Sequence, residues 1–176
     1  MKYILDTSAV LSGKEFSVSD EFELVTVPSV EAELQKGPSN PDDDWTEIQL
    51  KFENLINTGL KIIRPSDDSV AEVRAAAKQT GDIKRLSGTD IELLALGLEL
   101  GAGSENVFLL TDDYSIQNIC TKLNINYQPV MEKGITHKVQ WQYRCTGCGK
   151  VYEEPIEECP VCGSLVKTKI NKKDKI

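Results

Sequence analysis

Two sets of residues in this chain have the types and spacing that chemistry requires. The first is Cys145, Cys148, Cys159 and Cys162, in YRCTGCGKVYEEPIEECPVCGS. Two thiolates separated by two residues can face one ion. Gly149 and Gly163, directly after the second cysteine of each pair, let the backbone curl so that amide N–H groups approach the sulfurs. Two such turns complete a tetrahedral all-thiolate shell suited to one Zn2+, and with four protein ligands that site is structural. Two disulfides are the competing use of these cysteines. The N-terminus shows no apolar signal region with a small-residue cleavage site, so a cytoplasmic protein is expected, where disulfides are rare. The module is too small to hold a core unaided, so metal binding is part of its folding free energy. Cys120 lies in the apolar helical pattern SIQNICTKL and is expected to pack. His137 precedes the first ligand and is expected to face outward, not to bind metal.

The second set is acidic. Asp6 ends the apolar run Tyr3-Ile4-Leu5 and is followed by Thr7 and Ser8, which by itself is the pattern of a helix cap. Asp112 and Asp113 follow NVFLLT. Asp90 lies in TDIELL, where Thr89 and Glu92 have capping-box spacing and place it in a first helical turn. Glu31 and Glu33 lie in the short helical stretch SVEAELQ. Each acid has a capping or surface explanation, yet several would converge at the carboxyl edge of a parallel sheet. Three or four carboxylates cannot stay ionised side by side without counter-cations. Hard oxygen ligands suit Mg2+ or Mn2+, which can activate water for in-line attack on phosphorus. The sequence has no G-x4-G-K-[ST] phosphate loop, and its one histidine, His137, leaves no Ser-His-Asp arrangement. Metal-assisted phosphodiester hydrolysis is the chemistry that remains.

These residues need a scaffold, and the first 130 positions supply its pattern. YILD, FELVTV, LKIIRP and NVFLL read as strands, with INYQPV a weaker fifth. Between them SVEAELQ, WTEIQLKFENLINTG, SVAEVRAAAKQ, TDIELLALGLELG and YSIQNICTKLN read as helices. Alternation of this kind predicts an α/β fold, a doubly wound sandwich with a mainly parallel sheet of four to five strands. A small C-terminal zinc ribbon completes the chain. The expected units are 1–130, a linker at 131–140, the ribbon at 141–170 and a frayed basic tail at 171–176. Asp42, Asp43 and Asp44, in GPSNPDDD, read as a solvated loop before the Trp45 helix.

With 40% apolar and 27% charged residues, the composition is that of a globular protein, and no stretch approaches the roughly 18 apolar residues of a membrane helix. The net charge of −8 is unevenly spread. Residues 1–134 hold 12 basic and 23 acidic side chains, whereas 135–176 hold 8 and 5. An acidic body therefore carries a mildly basic end. Around the ribbon, Trp141 and Tyr143 are interleaved with Lys138, Arg144, Lys150, Lys167 and Lys169, which suits phosphate contact and base stacking. Equally, either aromatic can form the ribbon's small core. Lys84 and Arg85, in GDIKRLSG, are candidate phosphate contacts or ordinary surface charge.

YILDTSAVL, VPSVEAEL, LSGTDIELLALGLEL and LLTDDYSIQN resemble, in order and spacing, the motifs of the PIN-domain ribonucleases over residues 1–130. With the ribbon added, the chain resembles the archaeal-type PIN-plus-zinc-ribbon endonucleases of small-subunit ribosome biogenesis, the Nin-one-binding family. The resemblance implies catalytic acids at Asp6, Glu33, Asp90 and Asp113, with Asp112 a second candidate for the fourth position. Asp6, Asp90 and Asp113 would bind one or two Mg2+ or Mn2+ ions. Helical periodicity does not choose Glu33 over Glu31, because both lie equally far from the centre of the Val30/Leu34 stripe. Thr111 and Ser8 are candidate hydroxyls for orienting these ligands. The implied activity is endonucleolytic cleavage of single-stranded precursor rRNA, forming the 3′ end of small-subunit rRNA. The implied partners are that RNA and the pre-ribosomal particle, with no membrane; a homodimer is left open. The rival readings are a toxin-type PIN ribonuclease acting on tRNA or mRNA, a noncatalytic RNA-binding assembly factor, and a zinc-ribbon transcription factor.

Overall fold

A computed structural model describes the chain except residues 13, 15, 17–20, 38–44, 131–136 and 176, and for 137–140 and 171–175 it describes the backbone alone. The loop with Asp42, Asp43 and Asp44, most of the expected linker and the Lys138 side chain thus lie outside the described residues.

The order is β1 (Lys2–Leu5), α1 (Thr7–Leu11), β2 (Glu23–Thr26), α2 (Pro28–Lys36), α3 (Thr46–Asn57), β3 (Lys61–Ile62), α4 (Asp67–Thr80), α5 (Gly88–Gly101), β4 (Val107–Leu110), α6 (Tyr114–Leu123) and β5 (Tyr127–Gln128). The five strands form one parallel sheet in the order β3-β2-β1-β4-β5. The expected α/β architecture is therefore observed. LKIIRP and INYQPV shrink to two-residue strands at the two edges, which leaves little unpaired backbone for another chain to pair with.

The core lies where the sequence is most apolar. Helix α5 buries Ile91 and every residue from Leu93 to Gly97, so it is covered on nearly all sides instead of presenting one stripe. Strands β1 and β4 bury Ile4, Leu5, Leu109 and Leu110 beside it. Cys120 is fully buried in α6, and burial pushes its thiol far above the ordinary range, as a packing residue requires. No helix among the described residues is long and apolar enough to cross a membrane.

This strand order places a switch point between β1 and β4. The chain leaves β1 toward β2 on one side and leaves β4 toward β5 on the other, and the cleft at their carboxyl ends opens between the two crossovers. Asp6 directly follows β1, and Thr111 to Asp113 directly follow β4.

The second unit is a three-stranded antiparallel sheet in the order β7-β6-β8, from β6 (His137–Cys145), β7 (Val151–Tyr152) and β8 (Val166–Lys175). It is longer than the sequence suggested. His137 pairs with Lys175, so backbone expected as linker and frayed tail is part of the β6–β8 ladder. Basic composition predicted fraying, but a partner strand satisfies the backbone of both segments.

Candidate active site and metal centre

Asp6 occupies the N-cap position of α1, yet its side chain makes no cap hydrogen bond. Instead the hydroxyls of Ser8 and Thr111 donate to Asp6 Oδ2 at 2.9 and 2.7 Å, and Thr111 Oγ1 accepts from the Asp113 amide at 3.1 Å. The ends of β1 and β4 are thereby tied together through one fully buried threonine. The helix-cap explanation of Asp6 does not describe this geometry.

Glu33 is fixed from both sides. Thr7, at the start of α1, donates to Oε2 at 2.6 Å, and Thr89, at the start of α5, donates to Oε1 at 2.6 Å. Glu31 lies elsewhere on α2, accepting only a long 3.4 Å bond from Gln35 among the described contacts. Two threonines on other helices hold Glu33 and not Glu31, a difference that helical periodicity does not show. Neither was singled out as a partner of Glu33 from sequence, and no spacing rule would have found them.

Asp90 and Asp113 each hold a helix N-terminus. Ser87 Oγ accepts from the Asp90 amide at 3.1 Å while Asp90 Oδ2 accepts from the Ser87 amide at 2.7 Å, a closed capping box. The expected Thr89/Glu92 box is therefore displaced: the helix starts at Gly88, Thr89 turns to Glu33, and Glu92 accepts from Ser29 at 2.5 Å. Asp113 Oδ1 accepts from the Ser115 and Ile116 amides at 2.6 and 3.3 Å, capping α6. Asp112 points its Oδ1 to the Val130 amide at 2.8 Å, toward the segment after β5.

These acids feel one another. Burial pushes the Asp6 carboxyl above the ordinary range; the Thr111 and Ser8 hydroxyls oppose this, and the Asp90 charge adds to it. Burial likewise raises Asp90, Ser87 opposes, and the charges of Asp113 and Glu33 push it further. None of the four takes part in the ion pairs found among the described residues, which are Lys2–Glu23, Lys51–Glu47 and Lys61–Glu23. Crowded carboxylates held only by neutral donors are a donor set that fits a hard divalent cation. Their oxygens do not form a group of three within 4.8 Å, as the cysteine sulfurs do among the described residues, and Mg2+ characteristically keeps several waters.

The four cysteine sulfurs lie within 4.8 Å of one another. Cys145 and Cys162 are 3.4 Å apart and Cys148 and Cys159 are 3.6 Å apart, too far for S–S bonds and pairing across the two turns. A tetrahedral ion with metal–sulfur bonds of about 2.3 Å sets sulfurs about 3.8 Å apart, so the quartet already has nearly the spacing of a Zn–S4 shell. Gly149 and Gly163 have φ of 75° and 68°, the left-handed conformation that tight turns ask of glycine. The Gly147 and Cys148 amides point at Cys145 Sγ at 3.3 and 3.4 Å, and Tyr152 Oη lies 2.9 Å from Cys159 Sγ. Ser164 holds the Cys162 thiol down to about 6 through its hydroxyl and amide, whereas at Cys148 the Lys150 amide is outweighed by the neighbouring sulfurs, which push that thiol up to about 11.

The basic and aromatic candidates divide. Arg144, Lys167 and Lys169 line an open groove of about 460 Å3 beside Cys145 and Gly147. Arg144 also donates to the Gly149 carbonyl at 3.1 Å, and exposed Lys150 sits 5.9 Å from the Tyr152 ring centre. Lys84 is exposed on the short 3-10 turn Asp82–Lys84. Tyr143, by contrast, is 3% exposed and donates to the Gly81 carbonyl at 2.8 Å, so it offers no ring face to a base. Arg85 stacks over Trp141 at 4.0 Å from the ring centre. These three join the ribbon to the first unit.

A family profile for the PIN domain of ribonuclease matches residues 3–100. The chain is 36% identical to Endoribonuclease Nob1 of Methanothermobacter thermautotrophicus over 171 residues, covering 96% of this chain and 93% of that protein. It is 35% identical to Ribonuclease VapC1 of Thermoplasma acidophilum over 176 residues, covering 98% and 80%. Both similarities run through the ribbon, so the ribbon does not by itself separate the two names. Among solved structures, VapBC2 from Rickettsia felis bound to a DNA fragment from their promoter superimposes with a TM-score of 0.52 at 21% identity, covering 73% of this chain and 98% of that one. That likeness is one of fold.

Proposed function

The chain belongs to the PIN-domain ribonucleases and is an endoribonuclease; from that premise we propose that it cuts single-stranded precursor rRNA to leave the 3′ end of the small-subunit rRNA. The observation that carries the catalytic part is the meeting of Asp6, Glu33, Asp90 and Asp113 around the β1–β4 switch point, with no basic partner among the described residues. The rRNA target is supported by the relatives named Nob1, which include proteins of Archaeoglobus fulgidus and Pyrococcus abyssi at 36% and 35% identity.

PIN nucleases depend on divalent metal; here Asp6, Asp90 and Asp113 would hold one or two Mg2+ or Mn2+ ions, which supply charge neutralisation at the phosphate and activation of water. The chain's own residues set the stage. Ser8 and Thr111 stop the Asp6 carboxylate from rotating, and Thr7 and Thr89 do the same for Glu33. Asp90 and Asp113 each use one oxygen on a helix N-terminus, so the main chain fixes the carboxylate plane. The surplus negative charge keeps RNA away from the cleft until cations occupy it. The ribbon, with one structural Zn2+ in its thiolate quartet, would contact the neighbouring rRNA through Arg144, Lys167 and Lys169, with Lys150 and Lys84 adding charge.

The test is incubation of the full chain with RNA spanning the 3′ end of precursor small-subunit rRNA, in Mn2+, Mg2+ or EDTA, beside Asp6→Asn protein. One cut at the mature end, lost with EDTA and with the variant, supports the proposal. Cleavage of tRNA or mRNA with no preference for that junction would favour the toxin-type reading, and tight binding without cleavage an assembly factor.

A further inference from the structure

The corner that follows α4 serves neither metal site, yet it gathers buried polar groups from both units. Asp82 is 0% exposed. Its Oδ2 accepts from Asn118 Nδ2 of α6 at 2.6 Å, while its Oδ1 is buried with no hydrogen-bond partner among the described residues. Burial raises its pKa, and the Arg85 charge opposes this. Gly81 has φ of 81°, and a Cβ there would stand 2.7 Å from both the Cβ and the carbonyl oxygen of Trp141. The backbone of β6 therefore rests directly on this glycine. Tyr143, two residues on, reaches back to the Gly81 carbonyl, while Arg85 covers the Trp141 ring. Helices α4 and α6 both pack against β6.

A loosely tethered ribbon would have no use for such a joint. Burying a carboxylate costs several kcal/mol unless it is well partnered, and one alanine methyl at Gly81 would displace the strand. We propose that this corner is a rigid seat that holds the ribbon in one orientation to the acidic cleft, so that Gly81, Asp82, Trp141 and Tyr143 are positioning residues setting the spacing between ribbon-bound RNA and the cut. The proposal rests on the endoribonuclease reading for its consequence, but not for its geometry. A fixed seat presents two RNA contacts at a matched distance, so the second contact forms at high effective concentration; a free ribbon would dilute it and blur the cleavage position.

Two arms test the full chain. In 15N relaxation, amides of both units of the wild type should share one rotational correlation time, and Asp82→Ala with Tyr143→Phe should give the ribbon a shorter one. Tyr143→Phe alone removes only a hydroxyl, and should loosen the ribbon in part if the double variant folds poorly. In cleavage assays with Mn2+, the double variant should raise KM about tenfold for a long RNA that spans both units, with secondary cuts near the main one, while a short oligonucleotide spanning only the cut keeps kcat and KM within about twofold. Separate correlation times in the wild type would overturn the seat. So would equal losses on both RNAs, which would place the defect in the cleft, or no change on either. Wild-type protein that cuts neither RNA would sink the nuclease reading instead, and the relaxation arm would still decide the seat.

Discussion

Replacing Thr7 and Thr89 by valine, singly and together, isolates the clamp on Glu33. Valine keeps the β-branched shape and deletes only the hydroxyl, so each change removes one 2.6 Å hydrogen bond to a carboxylate oxygen. Bonds to charged acceptors contribute about 1.5–3 kcal/mol; Glu33 is only half-buried, so the lower end applies, at about 1.5 kcal/mol for each variant. The double variant should lose about 3 kcal/mol, less whatever the remaining water recovers, a fall of very roughly 6–12 °C in melting temperature for a chain of this size. If the clamp exists to aim the carboxylate, each single change should also lower kcat about tenfold, the equivalent of 1.4 kcal/mol, with KM little altered. Glu33→Gln makes the contrast: a hydroxyl can accept from an amide as readily as it donates to a carboxylate, so the fold should lose less than in the double valine variant while cleavage is lost. Urea titrations with cleavage of a short oligonucleotide in Mn2+ measure both. Valine variants that lose stability while keeping wild-type kcat would refute the aiming role, leaving Glu33 a structural staple between α1, α2 and α5.

Further outcomes follow from the other acids and from the ribbon. Because burial raises the Asp6 pKa, its contribution to stability is full below the usual aspartate value and is lost as pH rises through the higher folded value; at neutral pH the ionised group is a cost. Asp6→Asn should therefore abolish cleavage yet melt no lower than wild type at neutral pH in EDTA, and a lower melting temperature would contradict the assignment. A mercurial reagent should release one Zn2+ per chain and red-shift indole fluorescence as Trp141 leaves its Arg85 cover; no zinc, or an unchanged spectrum, counts against the quartet as the ribbon's fold determinant. Lys167→Glu with Lys169→Glu should weaken RNA binding and reduce the salt slope by about one for each phosphate that the groove ceases to neutralise, whereas an unchanged slope removes the groove from the interface.

What the sequence discloses depends on whether the signal is local. The segment TDIELLALGLELG reads as a helix, and α5 is one; the apolar stretch Leu93–Gly97 within it is buried throughout. Asp6 and Asp113 are placed by topology, since parallel strands leave a cleft at their carboxyl ends wherever the strand order reverses. The choice of Glu33 over Glu31 is different. It depends on how α2 is turned relative to the starts of α1 and α5, and the two threonines that hold Glu33 lie far away in sequence. The capping box fails by register alone: Ser87 and Thr89 are both competent caps, and with α5 beginning at Gly88 it is Ser87 that caps it, closing the box with Asp90. Trp141 and Tyr143 illustrate a deeper limit. An aromatic beside lysines has the same composition whether it stacks on a base or packs on a neighbouring unit, and only the burial of Tyr143 against Gly81 tells them apart.

The manner in which the four acids are held bears on what they are for. A salt bridge would orient a carboxylate as firmly as any hydroxyl, but it would also cancel the charge. Here every described partner is neutral: Ser8 and Thr111 for Asp6, Thr7 and Thr89 for Glu33, the Ser87 amide for Asp90, and the Ser115 and Ile116 amides for Asp113. Capping and ligation are then not rivals. One oxygen of Asp90 or Asp113 can satisfy a helix N-terminus while the carboxylate keeps its full charge for a cation, and the helix dipole favours that charge without pairing it. On the reading proposed above, the same logic accounts for a net positive charge on residues 135–176 beside a net acidic first unit. Lysines beside the cleft would attract RNA, but they would compete with the metal for the acids; held on a separate unit, they can attract the substrate and leave the carboxylates uncompensated.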